Sequence, residues 1–233
     1  SDIRGGFIYR LLSEMMHRLD ISNLRLEYGF RRILWDVSLH CETGKVVGLL
    51  GRNGSGKTCL MKAVYGELKL QEQYVGIDGR VLLTRERSPE DMRYLPQHHF
   101  IPPGLPVKRV FNDFGVFGKT YQRRIQTFSS GERRIIEVYV VLASVSTFCI
   151  LDEPFSFLMP LHVQKIKEII CREKVTKGIM ITDHYFEDVI DISDELFILQ
   201  GGKTWRVQER ADLELLEYIK DTDGIQNRRT DAE

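Results

Sequence analysis

The sequence predicts an α/β fold built on a parallel sheet, with an antiparallel β unit ahead of it. Three observations carry that prediction. Apolar runs at Val46–Leu50 and Phe148–Leu151, and a further strand at Ile179–Thr182, alternate with segments of helical periodicity. These runs are apolar at nearly every position, as strands covered on both faces require. Upstream, Leu24–Tyr28 and the alternation of Trp35, Val37 and Leu39 with Asp36, Ser38 and His40 show the period of two that marks half-buried antiparallel strands.

Taken in order, Lys45–Leu50 is a strand that runs straight into a glycine-rich turn and then a helix at Lys57–Tyr65. Tyr74–Leu83 returns to strand around the turn Asp78-Gly79, and Arg93–Leu95 is a short strand stopped by Pro96. Pro102, Pro103 and Pro106 forbid regular structure over Ile101–Pro106 and mark a hinge into a partly helical region that runs to Ser129. In Arg133–Leu142 apolar residues 135, 138 and 142 form one helical stripe. Val163, Ile166 and Ile170 mark the next helix, Phe186–Ile192 another, and Leu196–Val207 a hairpin through Gly201-Gly202. A last helix is expected at Leu213–Ile219 and a polar tail over Asp221–Glu233.

The chain has 233 residues, enough for one large domain or one domain with a subdomain. Lys plus Arg and Asp plus Glu both number 33, so no overall basic field points to nucleic acid as a partner, and any polyanion site is local. Cys41, Cys59, Cys149 and Cys171 show no CxxC pair, which suits reduced thiols in the cytoplasm. No apolar run approaches the roughly 18 residues needed to cross a bilayer. Residues 7–16 are interrupted by Arg10 and Glu14 and lack a small-residue cleavage site; they are a surface helix or an extension rather than a signal peptide.

Gly51-Arg52-Asn53-Gly54-Ser55-Gly56-Lys57-Thr58 satisfies the phosphate-loop pattern, and it falls between a buried strand and a helix as that motif demands. Its glycines let backbone N–H groups curl around a phosphate, Lys57 supplies charge for the β- and γ-phosphates, and Thr58 can ligate magnesium. Phe148–Glu153 is an apolar strand ending in two carboxylates: Asp152 would hold the metal, and Glu153 would polarise an attacking water as general base.

With these motifs in place, residues 20–207 resemble the ATP-binding cassette family, the nucleotide-binding subunits of ABC transporters. After the phosphate loop come Tyr94-Leu95-Pro96-Gln97, similar to the Q-loop, and Phe128-Ser129-Ser130-Gly131-Glu132, similar to the signature Leu-Ser-Gly-Gly-Gln. Asp152-Glu153-Pro154 and the switch segment Ile181-Thr182-Asp183-His184 follow. Pro154-Phe155 and Thr182-Asp183-His184 look most like the ATPases of lipopolysaccharide export and branched-chain amino-acid import.

The resemblance implies a P-loop NTPase core with an antiparallel β subdomain and a helical subdomain at about 97–143, shortened because the interval from Gln97 to Ser129 is brief. Residues 1–19 then form an extension, and 208–233 a helix and tail. It implies ATP held by Tyr28, Gly51, Asn53, Gly54, Ser55, Gly56, Lys57, Thr58 and Cys59. Tyr28 would stack on adenine, a role Phe30 could take instead. Mg2+ would be held by Thr58, Gln97 and Asp152, and catalysis would use Glu153, His184 and Gln97. Ser129, Ser130, Gly131 and Glu132 would face the ATP of a second subunit.

The implied activity is ATP hydrolysis by a head-to-tail dimer, a homodimer or a pair with another cassette, that sandwiches two Mg-ATP. It would work on the cytoplasmic face of the membrane beside a separate transmembrane subunit. Two departures stand out. Ser130 replaces the first signature glycine, where it would crowd the phosphate or add a donor, and Met159 replaces the D-loop aspartate. They leave open an alternative, a dimerising clamp or regulatory module with slow or no hydrolysis. A soluble cassette of DNA repair or translation would need a long insertion or two cassettes.

Overall fold

The computed structural model describes residues 16–116, 122–156, 158–208 and 212. Within them lie ten strands: β1 Arg18–Tyr28, β2 Arg31–Glu42, β3 Val46–Leu50, β4 Glu72–Ile77, β5 Arg80–Val81, β6 Met92–Leu95, β7 Phe148–Asp152, β8 Gly178–Thr182, β9 Glu195–Gln200 and β10 Lys203–Val207. The helices are α1 Lys57–Tyr65, α2 Val107–Asp113, α3 Ser130–Ala143, α4 Pro160–Glu173 and α5 Phe186–Ile192. The expected helix at Leu213–Ile219, the polar tail and residues 7–15 lie outside the described residues.

All ten strands join one sheet in the order β5-β4-β1-β2-β10-β9-β3-β8-β7-β6. From β9 to β6 every pairing is parallel, while β5-β4-β1-β2 is antiparallel. The two parts meet at β2 and β10, where the ladder records only Lys203↔Asp36. There the Thr204 hydroxyl stands in for backbone, accepting from Ser38 N–H and donating to Ser38 C=O at 2.8 Å each. Gly201 and Gly202 both have positive φ, 59° and 79°, which a two-residue hairpin turn between right-twisted strands requires.

Side-chain alternation explains why the parallel strands read as unbroken apolar runs. Val47, Leu49, Ile150 and Met180 join the core shared with β1, β2 and α1. Their neighbours Val46, Leu50, Leu151 and Ile181 join the opposite core against α3, α4 and α5. A third, smaller core gathers Ile101, Val107, Val110, Phe111, Ile125 and Val140 beyond the proline-rich segment.

Two expectations need correction. Strand β1 starts at Arg18 rather than Leu24, because a register shift between Ile21 and Leu24, with Asn23 at φ 54°, breaks the period of two. Leu19 and Ile21 are buried on one side of the shift, Leu24 and Leu26 on the other. Helix α3 starts at Ser130, and its buried face carries Arg134 and Glu137 along with Val138, Val141 and Leu142, while Ile135 is only half-buried. Two charges on a buried face look like surface positions in a sequence; here they pair with each other at 3.6 Å and with backbone.

Candidate functional site

Parallel strands present their C-terminal ends along one edge of a sheet, and ligands of open α/β folds bind there. The registers Leu95↔Leu151, Asp152↔Thr182 and Gly48↔Ile181 place the ends of β3, β6, β7 and β8 side by side. Gly51, Gln97, Glu153 and Asp183, each one or two residues past a strand, are delivered to the same edge.

The loop from Gly51 to Gly56 joins β3 to α1. Gly56 caps α1 at φ 106°, and a Cβ there would stand 3.0 Å from Ile33 Cγ2, so only glycine lets the loop approach β2 this closely. Lys57 is buried, and its ammonium donates to the carbonyls of Gly51 at 2.6 Å and Arg52 at 3.3 Å. Burial lowers its pKa, opposed by the nearby charges of Glu153, Asp152 and Asp183. Ser55 Oγ is buried without a hydrogen-bond partner.

Asp152 closes β7 and is fully buried. Its carboxylate accepts from Thr58 Oγ1 at 3.2 Å and from the Tyr94 hydroxyl at 3.0 Å. Burial raises the Asp152 pKa, and these two hydrogen bonds oppose it. Burial first, then the Asp152 charge, pushes the Tyr94 phenol far up, so it stays a donor.

Glu153 turns away from the strand at φ 52°, a left-handed conformation unusual for a side-chain-bearing residue. Its backbone is held by Thr182 C=O at 2.7 Å and by the Arg134 guanidinium at 3.0 Å. Its Oε2 accepts from Gln97 Nε2 at 2.8 Å and Ser156 Oγ at 3.1 Å, and lies 3.4 Å from His184 Nδ1. Asp183, fully buried, accepts from Phe155 N–H and Tyr185 N–H and so staples the β7 and β8 ends together; burial raises its pKa. Arg134 binds Pro96 C=O at 2.8 Å and both Asp152 C=O and Glu153 C=O at 3.0 Å.

Lys57, Thr58, Gln97, Glu153 and His184 border a cleft of about 570 Å³. Asn53, Gly54, Gly56, Lys57, Thr58 and Cys59 form one wall. Tyr28, Gln97, Glu153 and His184 form the rest, together with Arg31 and Ile33, which the sequence did not single out. Gly51, Ser55 and Asp152 are not in the wall. Tyr28 borders the cleft, while the fully exposed Phe30 does not.

Tyr94, Ser156 and Arg134 are likewise new. Tyr94 was signalled by its place in Tyr94–Gln97, Ser156 by its place after Glu153, and Arg134 by nothing local.

Ser129, Ser130, Gly131 and Glu132 do not border this cleft; they form the start of α3. Ser129 and Glu132 close a capping box, with Glu132 N–H on Ser129 Oγ at 3.3 Å and Ser129 N–H on Glu132 Oε2 at 2.9 Å. The Ser129 backbone and side-chain hydrogen bonds lower the Glu132 pKa. Ser130 Oγ turns to His99 Nε2 at 3.0 Å.

The protein family described as ABC transporter matches residues 34–156. The lipopolysaccharide export system ATP-binding protein LptB of Haemophilus influenzae is 30% identical, over 81% of this chain and 89% of that protein. A probable ABC transporter ATP-binding protein of Azorhizobium caulinodans is 32% identical, over 77% of this chain and 73% of that one. A solved ATP-binding subunit of an ABC transporter shares the fold with a TM-score of 0.71 at 19% identity, covering 86% of this chain and 93% of that chain.

Proposed function

Because this chain belongs to the ABC transporter family, as an ATP-binding domain, we propose that it is the ATP-hydrolysing subunit of a membrane transporter, working as a head-to-tail dimer that sandwiches two Mg-ATP. The observation that carries this reading is the meeting, on one cleft, of the buried Lys57 ammonium with the Gln97–Glu153–His184 cluster. A polyanion fits this loop: Lys57 offers charge, α1 its N-terminus, and Ser55 Oγ is a buried polar atom without a partner.

In this reading Tyr28 stacks on the base, and Asn53 to Cys59 hold the phosphates. Thr58 and Asp152, already 3.2 Å apart, would hold Mg2+ together with Gln97. No group of three or more His, Cys, Asp or Glu among the described residues could hold a metal, so phosphate oxygens and water would complete its shell. When bound, the metal supplies charge neutralisation on the β- and γ-phosphate oxygens. Glu153 accepts the proton of the attacking water, Gln97 orients that carboxylate, and His184 stabilises charge on the γ-phosphate. Asp183 and Arg134 hold the backbone that aims Glu153.

Ser129–Glu132 lies outside the cleft of its own chain, which supports its use on a second subunit's ATP. No described helix is long and apolar enough to cross a membrane; in this reading the chain works on the cytoplasmic face beside a separate transmembrane subunit. Residues 20–207 would be the ATPase unit, and the third core supports a small helical subdomain within 97–143.

Glu153→Gln tests the reading. It keeps a group for Gln97 to hold and removes the base, so turnover should fall by about 100-fold or more while ATP binding remains. Size exclusion should then find a dimer in Mg-ATP. Retained turnover would remove Glu153 from the base role, and a monomer would count against the sandwich.

A further inference from the structure

His99 lies two residues past Gln97, and its ring spans two points on helix α3. Nε2 is 3.0 Å from Ser130 Oγ at the first helical position, and Nδ1 is 2.8 Å from Oε2 of the fully buried Glu137. Every other polar partner of the Glu137 carboxyl among the described residues is a donor. Phe100 N–H and Ile101 N–H lie at 3.2 and 3.4 Å, Arg133 Nε at 3.4 Å and Arg134 Nη1 at 3.6 Å. Nδ1 therefore carries its proton toward Glu137, and in the neutral ring Nε2 is left as an acceptor. In that tautomer the Ser130 hydroxyl donates to it. Ser130 thus neither crowds the space in front of α3 nor offers a free donor there; it is tied back to the segment that carries Gln97.

That segment meets α3 at four places. Arg134 holds Pro96 C=O, Glu137 holds the N–H groups of Phe100 and Ile101, Arg133 holds Ile101 C=O, and His99 holds Ser130. Arg134 and Glu137 are buried behind the catalytic edge, and among the described contacts His99 is the one that reaches Ser130, the first residue of α3. We propose that His99 is a positioning residue that locks the Ser129–Glu132 turn to the Gln97 segment. Engagement of that turn by a second subunit's ATP is thereby passed to the Gln97–Glu153 hydrogen bond. This rests on reading Ser129–Glu132 as the face that meets the partner's nucleotide.

The test is a double-mutant cycle on ATP turnover with His99→Ala, Ser130→Ala and the pair, alongside binding of a fluorescent ATP analogue to the full chain. Each single change should lower kcat about fivefold, with KM and analogue affinity within about twofold of the parent, and the pair should be no slower than either single. His99→Gln, whose amide still reaches toward Ser130, should recover most of the loss.

Multiplying losses, an unchanged kcat in Ser130→Ala, or a loss confined to nucleotide affinity would overturn the proposal. If His99→Ala does not fold, Ser130→Ala, which removes one exposed hydroxyl, decides alone. A parent that neither hydrolyses ATP nor dimerises would instead overturn the functional reading; an active parent with an additive cycle overturns only the role of His99.

Discussion

Lys57 shows how a short motif takes on properties no motif contains. The pattern places an ammonium at the loop's end, but its burial, and with it the lowered pKa, comes from the packing of α1 against β7 and β6. The sign has two consequences. Deprotonation relieves a desolvated charge, so folding stability rises as pH climbs through the lowered value. ATP binding needs the ammonium and should be lost over that same range, below the 10.5 of an ordinary lysine. Titrating ATP affinity and melting temperature from pH 8 upward checks both; affinity that holds to the ordinary lysine range would mean the ammonium is not desolvated. Thr58, Asp152 and Glu153 were singled out from their sequence neighbours, and the fold brings them to one edge of the sheet. Tyr94, Arg134 and Ser156 were not assigned roles, because their partners Asp152, Pro96 and His184 are set by how strands and helices pack.

Helix starts offer the clearest tests at the next scale. At the start of α3, a Cβ on Gly131 would lie 2.7 Å from His162 Nδ1 and 3.4 Å from Leu158 Cδ2. Gly131→Ala should therefore push α3 away from the first turn of α4, at a cost of about 1–3 kcal/mol. His162→Ala, which removes the obstructing ring, should restore the melting temperature; a Gly131→Ala variant as stable as the parent would show that the two helices yield freely. Met159 is the N-cap of α4, is 62% exposed and makes no side-chain cap. Met159→Asp should stabilise the fold by about 1 kcal/mol by giving a first-turn N–H a side-chain acceptor. If a carboxylate there also orders water on the partner's ATP, kcat rises as well. A melting temperature unchanged by the substitution would mean the side chain does not cap.

Element types were readable because each strand of the parallel core is covered on both faces and each helix keeps an apolar stripe. Boundaries failed where local geometry breaks the period, at the β1 bulge around Asn23, and where paired charges enter a core, at Arg134 and Glu137.

For the molecule as a whole, the proposed use of the turn at the start of α3 on a second subunit's ATP implies that activity depends on association. Turnover per chain should rise with chain concentration and then level off; a flat profile from nanomolar to micromolar protein would show that one chain suffices. The sheet also constrains how association can occur. Its two outer strands are β5, of two residues, and β6, of four residues ended by Pro96 and overlain by α3, with the Arg93 guanidinium 5.3 Å above the Phe114 ring. Neither offers an open ladder of amides long enough to recruit a strand from another molecule. Association is thus steered away from edge-to-edge stacking, the route that leads to fibres, and under the proposed pairing a crowded population of these chains should not seed aggregation from the sheet's margins.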